Sequence, residues 1–306
     1  MADGQTFDVI SLGRSGVDIY PLDHGVGLED VSTFRKFLGG SATNVAVAAA
    51  RHGHHVALVT KVGNDPFGRF VHAESARLGI DPRFISTIDG DGPPTPVTFC
   101  EIFPPDNFPL YFYRYPAAPD LLLTEADLPL DEIASAPVFW ATVTGLSQEP
   151  SRATHFAAWQ RRGRRSHTVL DLDYRPMFWD DPAQASTQVA RALEHVSVAV
   201  GNAEECFVAV GDLAIVKQGP KGVLAATAEE RIEVAPHWVE VVNGLGAGDA
   251  FGGGLIHGLL SGWDLRRTVE FANVAGAIVA SRLGCSTAMP TTAEVEAALA
   301  GRRSES

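Results

Sequence analysis

The stretch Val242-Asn243-Gly244-Leu245-Gly246-Ala247-Gly248-Asp249-Ala250-Phe251-Gly252-Gly253-Gly254 runs from a glycine-rich turn into a helix. Small residues leave the backbone N–H groups of Leu245 to Asp249 bare at a helix N-terminus, which makes an anion site. A carboxylate there can take a proton from an attacking hydroxyl while the amides hold a transferring phosphoryl group. A tight turn with Asp249 as a helix cap would use the same residues. No Gly-Lys-Ser/Thr follows, so the loop is not a Walker A loop. The third glycine of a dinucleotide fingerprint, counted from Gly244 and Gly246, is replaced by Asp249, which weakens a nicotinamide reading.

Upstream of this loop, short apolar runs alternate with helical patterns. Strands are expected at Phe7–Leu12, His55–Val62, Val138–Thr142, Thr168–Leu172, Val196–Val200 and Leu213–Lys217. Helices are expected at Ser41–His52, Pro66–Leu78, Ser151–Arg161 and Ala183–Glu194, then at Asp249–Ser261, Leu265–Leu283 and Thr292–Ala300. Runs apolar on both faces and separated by helices read as parallel strands in a covered sheet. Two segments break the rhythm. Val17–Phe37 has little regular pattern, whereas Thr95–Tyr115 alternates, turns at Pro104-Pro105-Asp106-Asn107 and returns as a hairpin. Such an excursion from an α/β chain suits a lid. The interval between Val200 and Leu213 is too short for an ordinary crossover between parallel strands. It predicts either residues missing near Val210–Asp212 or a deleted crossover helix, next to Cys206.

The 306 residues fit one large α/β domain or two modest ones. With 24 basic and 37 acidic residues the net charge is −13, a poor basis for nucleic-acid binding. The basic run Arg161–Arg165 reads as a solvated helix end. Three scattered cysteines, Cys100, Cys206 and Cys285, with no CxxC, argue against a disulfide framework and for a reducing, cytoplasmic setting. No secretory signal and no membrane-spanning run is expected.

Other motifs sit at expected strand ends, where ligands bind in such sheets. Gly39-Gly40-Ser41-Ala42-Thr43-Asn44 lets a substrate approach the backbone, and Asn44 offers a donor and an acceptor for sugar hydroxyls; helix capping by Ser41 accounts for the stretch equally well. Asp18 follows the first strand. Asn202-Ala203-Glu204-Glu205 can hold a hydrated Mg²⁺ or simply begin a helix. Lys217-Gln218-Gly219-Pro220-Lys221-Gly222 can shape a nucleotide pocket or be a plain hairpin. Arg114 closes the lid hairpin and Arg175 lies in Asp171-Leu172-Asp173-Tyr174-Arg175-Pro176; facing a cleft they would bind a carboxylate, and otherwise they form surface salt bridges.

The order of these motifs resembles the ribokinase/PfkB carbohydrate kinases over nearly the whole chain. Gly39-Gly40 through Asn44 is similar to the first family signature, and Gly246-Ala247-Gly248-Asp249 to the second. Asn202 with Glu205 is similar to the NxxE motif, and Asn273 to a residue near the nucleotide base. Within the family the resemblance is narrowest to the 5-dehydro-2-deoxygluconokinases of bacterial myo-inositol catabolism. It is carried by Leu38–Val47, Phe108–Arg114, Asp171–Trp179 and Val242–Asp249. The Tyr-Arg and Asp-x-Asp-x-Arg patterns also resemble 2-keto-3-deoxygluconate kinases, so the acid-sugar class is more firmly implied than the acid.

The resemblance implies a three-layer α/β/α ribokinase-like fold with a small β lid, over about 17–37 and 95–115. It implies ATP-dependent phosphorylation of a primary hydroxyl, with Asp249 as base and the amides of Gly246, Ala247 and Gly248 around the phosphoryl group. Asp18, Gly40 and Asn44 would hold sugar hydroxyls, and Arg114 and Arg175 the carboxylate. Asn202, Lys217, Gly219, Gly222 and Asn273 would line the nucleotide site, and Asn202 and Glu205 would organise Mg²⁺ through water. K⁺ is a candidate cofactor, since in many relatives this stretch lies near a monovalent-cation site; Asn243, where Asp is common, removes a charge and puts K⁺ dependence in doubt. Apolar lid residues Phe99, Ile102, Tyr111 and Tyr113 could cover a sugar or a second copy's lid in a homodimer. A non-catalytic sugar or nucleotide sensor is the competing class, and the intact Gly-Ala-Gly-Asp argues against it.

Overall fold

Successive residues of β1 (Val9–Leu12) point into opposite apolar layers: Val9 into one, Ile10 and Leu12 into the other. Both faces of this strand are therefore covered, as its uninterrupted apolar sequence requires. The computed structural model describes residues 6–202 and 212–305. After β1 come β2 (Gly16–Pro21), β3 (Phe34–Gly39), α1 (Ser41–Arg51), β4 (Val56–Val62), α2 (Pro66–Arg77), β5 (Ile80–Asp81) and β6 (Ile85–Thr87). The middle third holds β7 (Val97–Cys100), β8 (Leu110–Tyr113), α3 (Leu130–Ser135), β9 (Val138–Thr142), α4 (Ser151–Arg162), β10 (Thr168–Asp171) and α5 (Pro182–Leu193). The last contains β11 (Val198–Asn202), β12 (Leu213–Lys217), β13 (Val223–Thr227), β14 (Arg231–Val234), α6 (Ala247–Leu260), α7 (Leu265–Ala280) and α8 (Thr292–Glu305).

The main sheet has the order β14-β13-β12-β11-β10-β9-β1-β4-β5, with β6 also paired to β4. All neighbours from β12 across to β5 are parallel, and β13 and β14 extend one edge as an antiparallel meander. One apolar layer packs α1, α2, α6 and α7 on the sheet; the other packs α3, α4 and α5. This is the three-layer α/β/α fold expected from the sequence. A second, four-stranded sheet has the order β3-β2-β7-β8. Val17–Phe37, which reads as irregular, thus supplies two of its strands, and Val97↔Tyr113 opens the antiparallel β7–β8 hairpin.

Strands β11 and β12 are parallel neighbours, from Val198↔Leu213 to Asn202↔Lys217. The expectation of missing residues or a deletion at 206–213, and the candidate Glu205, fall on 203–211, outside the described residues. The basic run is only partly a solvated helix end. Arg162 is buried and donates to the carbonyls of Ile133 and Ala136, both at 2.8 Å, and to Thr168 Oγ1 at 2.7 Å. Its guanidinium satisfies backbone acceptors where α3 ends, a task that a charge count along the chain does not reveal.

Gly252, Gly253 and Gly254 in α6 face Trp140, Ala48 of α1 and Ala272 of α7. A Cβ on Gly253 would collide with Ala48. Gly253→Ala should therefore lower stability by about 1–3 kcal/mol through overpacking. Gly301→Ala, whose methyl meets nothing within 4 Å, should not lower it. Thermal denaturation of both variants checks this; equal Tm values would show that the α1–α6 contact tolerates added volume.

Candidate active site

Helices α1 and α6 begin side by side at the carboxyl ends of the parallel strands. Gly246 precedes α6 in a left-handed conformation (φ 82°, ψ −9°), and a Cβ there would lie 2.8 Å from Cys285 Sγ. The preceding turn is braced by buried Asn243, which accepts from the Leu245 amide at 3.1 Å and donates to the Leu283 carbonyl at 2.7 Å. The Ala247 amide makes a long 3.4 Å bond to the Gly244 carbonyl. Amides of the first helical turn otherwise lack intrahelical acceptors and face the site. A Cβ on Gly248 would lie 3.2 Å from Lys217 Nζ, which itself lies 3.9 Å from Asp171. The Leu245 amide, expected to be bare, is thus engaged and that of Ala247 weakly so, and it is mainly the amides of Gly246, Gly248 and Asp249 that converge with a cation on one point suited to an anion.

Asp249 closes the arrangement. Its Oδ1 accepts from Ser41 Oγ at 3.0 Å and its Oδ2 from Asn44 Nδ2 at 2.9 Å. Burial, reinforced by the Asp173 carboxylate, raises its pKa to about 6, against the pull of Asn44, Lys217 and Ser41. Asn44 Oδ1 is buried with no hydrogen-bond partner among the described residues. Ser41 is therefore not the helix cap: α1 starts at Ser41 with Gly40 before it and no side-chain cap bond, and the Ser41 hydroxyl orients the carboxylate instead.

Asp18, on β2, lies over Gly39, where any Cβ would strike its carboxylate. Tyr20 OH donates to its Oδ2 at 3.3 Å. Burial raises the Asp18 pKa to about 6, opposed by Arg14 and by Tyr20. Gly40 (φ 103°) passes so close to the Arg14 carbonyl that a Cβ would collide with it.

The two sequence-selected arginines differ in setting. Arg114 is buried, 3.2 Å from Asp120 Oδ2, with its guanidinium carbon 4.2 Å from the Phe178 ring centre. Burial lowers its pKa, with Asp120 opposing. Arg175 is more open and pairs with Asp173 Oδ1 at 2.9 Å. A surface salt bridge is therefore the wrong description for Arg114. Ile102 is fully buried in a cluster with Tyr20, Phe37, Cys100 and Cys285, so it cannot cover a partner; Tyr111 and Tyr113 are exposed.

On the other side of the α6 N-terminus, Asn202 at the end of β11 stands in register with Lys217. Gly219 and Gly222 lie in the turn joining β12 to β13, which is the hairpin reading. Asn273 Nδ2 donates to the Ala235 carbonyl at 2.9 Å, fixing the chain beyond β14. Among the described residues no cluster of three His, Cys, Asp or Glu side chains could hold a metal. Sequence reasoning missed Arg14, Asp120 and Asp173; they carry no periodic signal and acquire meaning only from what they face.

The model of the pfkB family carbohydrate kinases matches residues 6–292. The chain belongs to this family. It is 29% identical over 315 aligned positions to the 5-dehydro-2-deoxygluconokinase of Shouchella clausii, covering 96% of each chain. That alignment is longer than the 306 residues here, so the relative carries residues this pfkB chain lacks. An uncharacterized sugar kinase of Pyrococcus horikoshii solved in complex with ATP superposes with a TM-score of 0.83 at 26% identity, over 94% of this chain and 96% of the other. A Vibrio cholerae fructokinase double mutant with bound fructose, ADP and potassium gives 0.82 at 27%, over 96% and 99%. The protein is a carbohydrate kinase of ribokinase-like architecture.

The raised pKa of Asp18 has a consequence for stability. Its folded value, about 6, exceeds the ordinary 3.8, so the folded state binds the proton more tightly. The group's contribution is fully present below pH 4 and is lost as pH rises through 6. Asp18→Asn, which stays neutral, should therefore melt above the wild type at pH 8. The gap should close as pH falls through 6 toward 4. A gap independent of pH would contradict the burial penalty.

Proposed function

We propose that this kinase transfers the γ-phosphoryl group of ATP to the 6-hydroxyl of 5-dehydro-2-deoxy-D-gluconate, an acid sugar, in myo-inositol catabolism. The observation that carries the transfer is the position of Asp249 at the start of α6, oriented by Ser41 and Asn44. The substrate reading rests on the named relatives, such as the Shouchella clausii enzyme, and on the arginines near Phe178 and Asp173.

In this reading the Asp249 carboxylate takes the proton of the primary hydroxyl as the oxygen attacks phosphorus. Amides of Gly246, Ala247 and Gly248 and the Lys217 ammonium stabilise the charge spreading over the phosphoryl oxygens. Asp18, the Gly40 backbone and the unpaired Asn44 Oδ1 take sugar hydroxyls. Arg114 and Arg175 bind the carboxylate. Asn202, Lys217, Gly219, Gly222 and Asn273 border the nucleotide. Asn202, with Glu205 its sequence partner, would hold Mg²⁺ through water, and the ion would supply neutralisation of phosphate charge. The four-stranded sheet acts as the lid, and its exposed Tyr111 and Tyr113 are the face for a second copy.

K⁺ fits less well. Asn243 supplies no anionic oxygen, and its amide already braces the Leu245 amide and the Leu283 carbonyl. Exchanging NaCl for KCl should change kcat by less than about twofold; a tenfold activation would refute this.

ADP release with Mg-ATP should be confined to acid sugars when 5-dehydro-2-deoxygluconate, 2-keto-3-deoxygluconate, fructose and ribose are compared. Turnover on the neutral sugars alone would reject the substrate reading. Asp249→Asn should lower kcat by about 10²–10⁴ with little change in KM. Because the base must be deprotonated, kcat/KM should fall as pH drops through about 6. Near wild-type turnover in the variant would remove Asp249 from the role of base.

A further inference from the structure

Arg14 lies just beyond β1 and is only 8% exposed. Its backbone is held from two directions: Thr43 Oγ1 donates to its carbonyl at 3.2 Å, and Gly40 passes against the same carbonyl. Its guanidinium carbon lies 5.5 Å from the Phe112 ring centre and 6.0 Å from that of Phe178. Arg114 lies over the same Phe178 ring. Two guanidinium groups, which cannot shed their charge, therefore approach one aromatic from different elements. Their mutual repulsion contributes to the lowered pKa of Arg114.

The carboxylates nearby do not complete the arrangement. Asp120 pairs with Nη2 of Arg114, leaving Nη1 buried without an acceptor among the described residues. Arg14 Nε is likewise buried without an acceptor. Asp18, which attracts Arg14 electrostatically, is bonded to Tyr20 and is half-neutralised near pH 6. Buried donors left unpaired cost free energy, and two of them on neighbouring guanidiniums point to an acceptor that arrives with the ligand. A planar anion with two oxygens matches such donors.

We propose that Arg14 is a specificity-determining residue of this kinase, binding the substrate's carboxylate jointly with Arg114 and thereby selecting acid over neutral sugars. This rests on the acid-sugar reading above and adds to it a residue from the connection between β1 and β2. Arg14 is anchored beside α1, whereas Arg114 follows β8 of the small sheet. A carboxylate between them ties the two sheets together across the sugar, so the acid group also fixes the small sheet over the site.

The test uses the full-length enzyme, 5-dehydro-2-deoxygluconate and its C1-alcohol analogue, with wild type, Arg14→Met and Arg14→Lys. The methionine keeps apolar contact with Phe112 and Phe178 and removes the donors. KM for the acid should rise about tenfold to a hundredfold in Arg14→Met, with kcat within a fewfold and KM for the alcohol unchanged. Arg14→Lys, which keeps the charge but not the fork, should lie between, and it carries the test should the methionine variant not fold. An unchanged acid-to-alcohol ratio of kcat/KM in a folded variant, with a wild type that prefers the acid, overturns the role of Arg14 alone. A wild type with no preference for the acid overturns the acid-sugar reading itself.

Discussion

The hydrogen bonds from α1 to Asp249 are the constraint on which the site depends. Ser41 and Asn44 reach a carboxylate 208 and 205 positions away. They can do so only because α1 and α6 pack with almost no side chain between them, Gly253 against Ala48 and Gly252 against Val45 and Trp140. Larger residues would separate the two helix starts and leave the carboxylate without its donors. The glycines after Asp249 thus serve packing, while Gly246 before it serves the backbone turn and Gly248 leaves room for Lys217. One glycine-rich run carries two physical tasks, and the boundary between them is Asp249.

A second coupling joins the small sheet to the α6 loop. Tyr20 of β2 lies with its hydroxyl 2.7 Å from Cys285 Sγ, and a Cβ on Gly246 would touch that sulfur. Burial holds both the phenol and the thiol protonated. Phe108, from the β7–β8 turn, sits where a Cβ on Gly244 would be, and Leu245 packs in the same cluster. The position of the small sheet and the shape of the anion-binding turn are therefore not independent. A movement of β2 away from the main sheet must disturb the seat of Gly246, so Asp18 and the amides at the start of α6 are mechanically coupled.

What the sequence disclosed follows from the range of each interaction. Parallel strands covered on both faces give uninterrupted apolar runs, so β1, β4, β9, β10, β11 and β12 are legible locally. Strands β2 and β3 are not. β2 is buried along nearly its whole length but carries Asp18 among its apolar residues, and β3 is exposed over Phe34, Arg35 and Lys36 and buried over Phe37, Leu38 and Gly39, so neither gives an uninterrupted apolar run. The glycine loop is legible because backbone geometry constrains its own residues. Arg162 and Arg14 are illegible for the opposite reason: a run of arginines, or one arginine between Gly13 and Ser15, looks the same whether its donors meet water or backbone carbonyls. Only the fold shows that Arg162 closes α3 and that Arg14 faces Phe112 and Phe178.

The charge distribution bears on how the proposed acid sugar and ATP would enter a chain of net charge −13. In physiological salt the Debye length is about 8 Å, so distant carboxylates are screened and the charges lining the cleft decide. In the proposed cleft Arg14, Arg114, Arg175 and Lys217 would supply the positive charge, while Asp18 and Asp249 are raised to about 6. The same burial that makes these two carboxyls reluctant to ionise also reduces their repulsion of an incoming anion. Each anion that binds will push both pKa values further upward unless its charge is matched by a guanidinium or ammonium. On the proposed reading, matching a substrate carboxylate with arginine would do more than hold the sugar: it would favour the ionised form of Asp249, the form able to accept a proton, once the site is full.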